Sequence, residues 1–321
     1  MTPLHLPLLP KQVRLGLALT ALAVSGCLQI EQTILLNPDN SGKATIKATM
    51  TNPMAAMMQG LAEQGGKEAT EELSQRMGTE MAKSFAASMV NESKGIDAWD
   101  QVKYATTKEG GFTFEGVAYF PNLNELSTAA SANAEGPGAM PALFRSEKSA
   151  DGTWVIQGLP DPSDTKQAAA RGKPVPPEEV DAKIKELREN WAAMEAIAAQ
   201  VMKDSKAVLR IQVAGTIREC SGWKQTSPQS VTLELNMGDI LTHLGTIIND
   251  DTALRQALLE GRVTEDGFPE PNFTQLRHLL FNGADKAEIV ITPGAPLFDY
   301  AAETAKAKAA MSGQLKELLG K

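Results

Sequence analysis

From Lys43 to Met50 every second residue is apolar: Ala44, Ile46, Ala48 and Met50 alternate with Lys43, Thr45, Lys47 and Thr49. A period of two sends side chains to opposite faces, so this segment is a half-buried strand and not a helix. The segment before it carries Leu28, Ile30, Ile34 and Leu36 on even positions. Between the two lies Asn37-Pro38-Asp39-Asn40-Ser41-Gly42, dense in turn formers. The folded part of the chain therefore opens with an antiparallel hairpin that has one apolar face. A lone hairpin is at best marginally stable in water, so the rest of the chain must cover that face.

What precedes the hairpin fixes where it is made. Residues 11–27 read KQVRLGLALTALAVSGC. Lys11 and Arg14 form a positive region, and Leu15 to Val24 is an apolar run of ten residues. A spanning helix needs about 20 apolar residues, so the run is the length of a secretion signal and not of a membrane span. It ends in Val24-Ser25-Gly26-Cys27, small residues followed by a cysteine. That order resembles the lipobox of bacterial lipoproteins. The resemblance implies that the Cys27 thiol receives a diacylglycerol, that residues 1–26 are removed as a signal peptide, and that the new amine is acylated. Two or more acyl chains hold a protein firmly on a bilayer where one does not. Leu28 stands where an aspartate would signal retention in the inner membrane of enteric bacteria, so the expected address is the cell envelope, at the outer membrane where one exists. The strand starts at once after Cys27, so the domain is expected to sit close to the bilayer without a flexible stalk. No later apolar run approaches spanning length.

The chain has 321 residues, 42% of them apolar and 22% charged, which is a globular composition. Its net charge is −8, and loss of residues 1–26 removes two cations and no acid, leaving −10. So acidic a chain repels a phosphate backbone unless it carries a local basic patch. The densest candidate, Lys166 to Lys173, has three cations flanked by proline and glycine and reads as a solvated linker. Nucleic acid is excluded as a partner on these grounds. With Cys27 lipidated, Cys220 has no partner, and no disulfide is expected. Cys220 precedes Ser221-Gly222 and reads as an inert thiol at a hairpin end.

Along the mature chain, strand patterns and helix patterns are interspersed. Residues 53–94 read as helical with a break at Gly65-Gly66. Leu73, Met77, Met81, Phe85 and Met89 repeat every fourth position and draw one apolar stripe. Hairpins are expected over 101–120 and 143–158. A small-residue loop covers 127–141, and residues 160–177 form a proline-rich loop. A long helix should run from Pro177 to Lys203 on a stripe of Val180, Ile184, Leu187, Trp191, Met194, Ile197 and Val201. The next strand should carry Leu209, Ile211, Val213 and Ile217, with a second through Val231, Leu233, Leu235 and Met237. Short helices are expected at 238–248 and 250–260, a strand over 287–292, and one last helix over 297–319. The fold class is α+β, a curved antiparallel sheet of hairpins packed against amphipathic helices, with a C-terminal strand and helix. Its expected divisions are a signal peptide at 1–26, an α+β domain at 27–250, and a C-terminal extension at 251–321 packed on the same domain.

The order of parts over about 27–240 resembles LppM-like lipoproteins. The residues that carry the resemblance are the lipobox cysteine running into a strand, the turn Asp39-Asn40-Ser41-Gly42, the methionine-rich helix, Ala118-Tyr119-Phe120-Pro121-Asn122-Leu123-Asn124-Glu125-Leu126, Val213-Ala214-Gly215-Thr216-Ile217, and Val231-Thr232-Leu233. The chain departs from that pattern in having Asn40 in place of glycine and no proline before Gly215. The resemblance implies an α+β domain with a curved antiparallel sheet, and lipid binding.

Motifs for chemistry are few. His243 and His278 have no metal-ligand spacing, and no CxxC, GxSxG, phosphate loop or dinucleotide fingerprint occurs. Asp39 to Gly42 lacks the alternating acids of a calcium loop and reads as a tight turn. Asp97 and Asp100 flank Trp99, a pattern found at sugar sites and also at the start of a strand. No catalytic residue, metal or cofactor is expected, and the chain is read as non-enzymatic. Two functions remain. One is binding of a lipid or other apolar ligand on the stripe Met77, Met81, Phe85 and Met89, since methionine lines adaptable apolar surfaces. The other is a structural or interaction role with an envelope protein as partner. The first predicts a cavity between sheet and helices; the second predicts a solid core and an exposed apolar or acidic face for the partner.

Overall fold

A computed structural model describes residues 28–51, 67–107, 110–127, 144–149, 152–158, 173–202, 205–261, 280–284 and 286–320. The fold is α+β, with two mostly antiparallel sheets. The opening hairpin forms as the alternation requires: β1 (Leu28–Leu36) pairs with β2 (Gly42–Met50) in unbroken antiparallel register, Leu28 opposite Met50 and Leu36 opposite Gly42. β3 (Ala98–Thr106) and β4 (Phe112–Phe120) form the second hairpin, and β4 pairs with β2. On the other side of β1 lies β7 (Lys206–Val213), parallel to it, followed by β10 (Ser230–Asn236) and the short β9 (Lys224–Ser227). The order across this seven-stranded sheet is β3-β4-β2-β1-β7-β10-β9.

A smaller sheet of four strands has the order β5 (Phe144–Lys148), β6 (Trp154–Gly158), β11 (Ala287–Pro293), β8 (Gly215–Ser221). Strand β11, read from sequence as part of a C-terminal extension, is thus an interior strand of this sheet. One face of each sheet feeds a single core. Ile34, Leu36, Ile46, Phe114, Phe120, Ile211 and Val231 come from the large sheet, and Trp154, Ile156, Ile289 and Ile291 from the small one.

Two sequence expectations need correction. Ile217 does not continue the strand of Leu209, Ile211 and Val213. The chain leaves the large sheet at Ala214 and enters the small one at Gly215, whose φ is +145° and whose missing Cβ would lie 2.1 Å from the Thr292 carbonyl oxygen. Only glycine fits so close a crossing of two backbones. The last helix is two helices, α5 (Tyr300–Ala309) and α6 (Gly313–Leu318). Ser312 ends the continuity by capping the second one, its hydroxyl accepting from the Leu315 N–H.

In the long helix of the sequence reading Val180, Ile184, Leu187 and Trp191 are buried, while the side chains of Met194, Ile197 and Val201 lie outside the described residues. α1 (Lys67–Asn91) lies across β3 and β4, and residues 53–66 of the helical reading are outside the described residues. α2 (Val180–Met202) packs on α3 (Met237–Asn249) and α4 (Asp251–Leu259). Val180, Ile184, Leu187, Leu254 and Leu258 form a second small core there.

α5 and α6 make a strap around edge strand β3. α5 sits on the outer face, where Ala307 meets Ala98 and Tyr119. α6 sits on the inner face, where Leu315 and Leu318 join the main core beside α1. Between them Ser312 Oγ and Gln314 Nε2 donate to the Val102 and Tyr104 carbonyls of β3. These bonds occupy acceptors of an edge that would otherwise invite another strand.

Candidate functional site

The end of the large sheet that carries Leu28 is where function would be organised if Cys27 holds lipid. Leu28 is already strand: it pairs with Met50, and its N–H donates to Ser205 Oγ at 3.0 Å. Ser205 is 5% exposed, and its carbonyl accepts from the N–H of Met237, the first residue of α3. One serine thus ties the start of β1 to the start of α3. Cys27 itself lies outside the described residues. Beside Leu28, the end residues Met50 and Phe112 form a small apolar cluster with Ala82, Met81, Phe85 and Tyr104.

The methionine stripe enters this cluster and the main core. Met89 is 1% exposed in the core. Phe85 is partly buried against Phe112 and Phe114, with ring centroids 5.0 and 5.7 Å away. Met81 packs on the Met50 cluster, and Met77 is half-buried one turn further out. The side chain of Leu73 is outside the described residues, as are Met54, Met57 and Met58. Two open depressions lie on the surface of the described residues. One of about 330 Å³ lies on the outer sheet face, lined by Lys47, Thr49, Lys103, Thr113 and Glu115 among others; one of about 410 Å³ lies beside Gln75, Arg76, Thr79 and Glu80. The stripe residues line neither.

At the opposite end, the β1–β2 turn is a junction and not a cation loop. Asp39 Oδ1 accepts from the Ser41 N–H and hydroxyl, which closes the turn on itself. Asn40 takes φ +72°, a left-handed conformation asparagine tolerates. Its Oδ1 accepts from Ser146 Oγ at 2.7 Å, and that hydroxyl accepts from Trp154 Nε1 at 2.5 Å. Asn124 pairs its side-chain amide with both the N–H and the carbonyl of Ser146, capping edge strand β5. The buried Asn37 accepts from the Leu297 N–H and donates to the Phe298 carbonyl. The first hairpin, the small sheet and the strap therefore meet in one polar network. Nothing in residue spacing announced it, because its members lie up to 261 positions apart.

Two glutamates hold the strap. Glu303 of α5 accepts from Lys43 Nζ at 2.7 Å and from the Tyr119 hydroxyl at 3.1 Å. Glu317 of α6 accepts from Lys83 Nζ at 2.6 Å and from the Tyr104 hydroxyl at 3.5 Å. Burial, then the neighbouring Glu303, pushes the Tyr119 phenol up to about 12. The hydrogen bond and charge of Lys83 hold Glu317 below the usual carboxylate range. Tyr300 donates to Asp97, and burial and that carboxylate together raise its phenol.

The remaining candidates do not assemble into a site. Trp99 packs edge-on to Phe114 in the core, so Asp97 and Asp100 flank no exposed ring. Cys220 is half-buried, its thiol bonded to the Trp223 carbonyl and raised by burial. His243 Nε2 is buried on α3 without a hydrogen-bond partner, and His278 lies outside the described residues. Among the described residues no group of three or more His, Cys, Asp or Glu is placed to hold a metal, and no helix is long and apolar enough to cross a membrane.

Comparison with known proteins adds little to this geometry. No family model and no curated protein matches the chain. Among solved structures, the NMR structure of the folded domain of Mycobacterium tuberculosis LppM is similar over 85% of this chain and 93% of that one, at 8% identity and a TM-score of 0.30. The likeness to LppM is thus a weak structural resemblance, with no matching family model behind it.

Proposed function

We propose that this chain is a non-enzymatic bacterial lipoprotein, lipidated at Cys27, that holds a compact α+β domain directly against the envelope membrane. The observation that carries this reading is the bond from the Leu28 N–H to Ser205 Oγ. The residue after the lipidated cysteine is already fixed in the sheet, so the tether has no length. Fewer free torsions between anchor and domain means less freedom of orientation relative to the bilayer.

Of the two functions left open by the sequence, the geometry favours an interaction role with an envelope partner over carriage of a lipid. The stripe that would line an apolar ligand site is turned into the sheet, with Met89 in the core. A drug-sized ligand or acyl chain needs a concave, mostly apolar site, and the stripe residues line neither of the two open depressions described here. The test is native mass spectrometry on protein extracted from membranes, followed by lipid analysis after delipidation at Cys27. A clean mass with no further bound lipid supports the interaction role. A stoichiometric lipid that survives removal of the covalent acyl chains overturns it in favour of the carrier.

A further inference from the structure

The strap is attached by a repeated device. On the outer face of the sheet Glu303 takes one lysine and one tyrosine, Lys43 and Tyr119; on the inner face Glu317 takes Lys83 and Tyr104. Both carboxylates belong to the strap, and all four donors belong to the body it wraps. Pro293-Gly294-Ala295-Pro296 joins the strap to β11, with the Gly294 N–H bonded to the Ala214 carbonyl. Beyond that point, among the described residues, the hydrogen bonds and ion pairs the strap makes to the body reach residues at least 184 positions away. We infer that the strap is a latched cover over edge strand β3, and that protonating the two latch carboxylates releases it while the sheets stay folded.

The chemistry follows from which partner changes. A protonated glutamate loses its charge attraction for lysine, and its bond from tyrosine becomes a neutral one, about half as strong, while the lysine bond keeps one charged partner. Around Glu303 the charged neighbours are Lys43 from β2 and, acting on Tyr119, Asp100 from β3. Around Glu317 they are Lys83 from α1 and, acting on Lys83, Glu80. Asp97 accepts from Tyr300 at the start of α5, and Asp39 lies near enough to act on that phenol. Each latch thus keeps its lysine cation when its glutamate is protonated. With both carboxylates protonated, the strap is held by its apolar contacts, chiefly Phe298, Ala307, Leu315 and Leu318, and by the bonds of Asn37, Ser312 and Gln314. The two sheets supply most of the main core, to which the strap adds Leu315 and Leu318. Release uncovers the Val102 and Tyr104 carbonyls, and with them the hydrogen-bonding edge of a nine-residue strand.

Hydrogen–deuterium exchange on the full-length protein tests this, with each segment's protection corrected for intrinsic rate. The double variant Glu303→Gln and Glu317→Gln removes both charges at neutral pH. Its amides over 300–318 should exchange at least tenfold faster than in the parent while those of β1 and β7 keep their protection. The parent should show the same pattern when shifted from pH 7 to below the carboxylate range. If the strap loses protection only together with β1 and β7, or in neither condition, the latch does not exist. If the glutamine variant does not fold, the pair Lys43→Gln and Lys83→Gln removes the two ion pairs from the body side. Failure of that pair to free the strap alone also overturns the inference.

Discussion

Truncating Met89 separates a core stripe from a ligand-lining one. Met89 is 1% exposed and lies among Ala86, Val90, Phe114 and the other buried residues of the main cluster. Removing a fully buried methionine side chain to alanine costs its transfer energy plus a cavity, about 2–5 kcal/mol for this class of change. For a domain whose whole stability is about 5–15 kcal/mol, about 3 kcal/mol is a large fraction. At about 2–4 °C per kcal/mol for a chain of 150–250 residues, it corresponds to a fall in Tm of about 6–12 °C. Met89→Leu conserves volume and should cost less than about 1.5 kcal/mol. Met77→Ala, at a half-buried position further along the helix, should cost under about 1 kcal/mol, because little area leaves contact with protein. Urea titration followed by tryptophan fluorescence gives all three as shifts in midpoint at constant slope. Equal, small effects at Met89 and Met77 would refute the packing drawn here and return the stripe to the ligand reading.

Other outcomes follow from the same geometry. Ser146→Ala leaves the fully buried Trp154 Nε1 without its acceptor and should cost about 1–3 kcal/mol, and adding Trp154→Phe should recover part of that by removing the orphaned donor; a double-mutant cycle with no coupling would contradict the network. Gly215→Ala forces a Cβ to within 2.1 Å of the Thr292 oxygen at φ +145° and should cost at least about 2 kcal/mol by the same urea assay. The Tyr119 phenol binds its proton more tightly folded than unfolded, so its contribution is whole below about pH 10 and fades as pH rises toward about 12. The Tm of the parent should therefore fall across that window, and Tyr119→Phe should flatten the fall.

Periodicity made the elements legible and left their partners hidden. The alternation of Lys43 to Met50 and the stripe of Val180 to Trp191 each specify one element and one buried face, because burial of a single side is what a strand or helix pattern records. The parallel pairing of β1 with β7, and the placing of β11 between β6 and β8, join segments far apart in the chain and leave no mark in local spacing. The break at Gly215 was readable only as a glycine in a strand, which marks a bulge, a bend or a close backbone, and here it marks a change of sheet. Splitting of the last helix could have been read from Ser312-Gly313, a capping residue before glycine inside an alanine-rich run. The stripe Met77, Met81, Phe85 and Met89 was visible as apolar, but an apolar stripe looks the same whether protein or ligand covers it. The candidate anchor was the part of the site most legible from sequence, since a signal followed by a cysteine is a local pattern, whereas the Ser205 clamp on Leu28 is not.

The central claim is that the domain is held on the membrane through Cys27 with no intervening tether. The intact mass of protein extracted from the membrane fraction, with fragmentation of its N-terminus, tests that most directly. The account predicts a chain that begins at Cys27 and carries a diacylglycerol and a further acyl group on that residue, and a Cys27→Ala variant that lacks the added mass. A mature chain that begins elsewhere, or an unmodified Cys27, would contradict it.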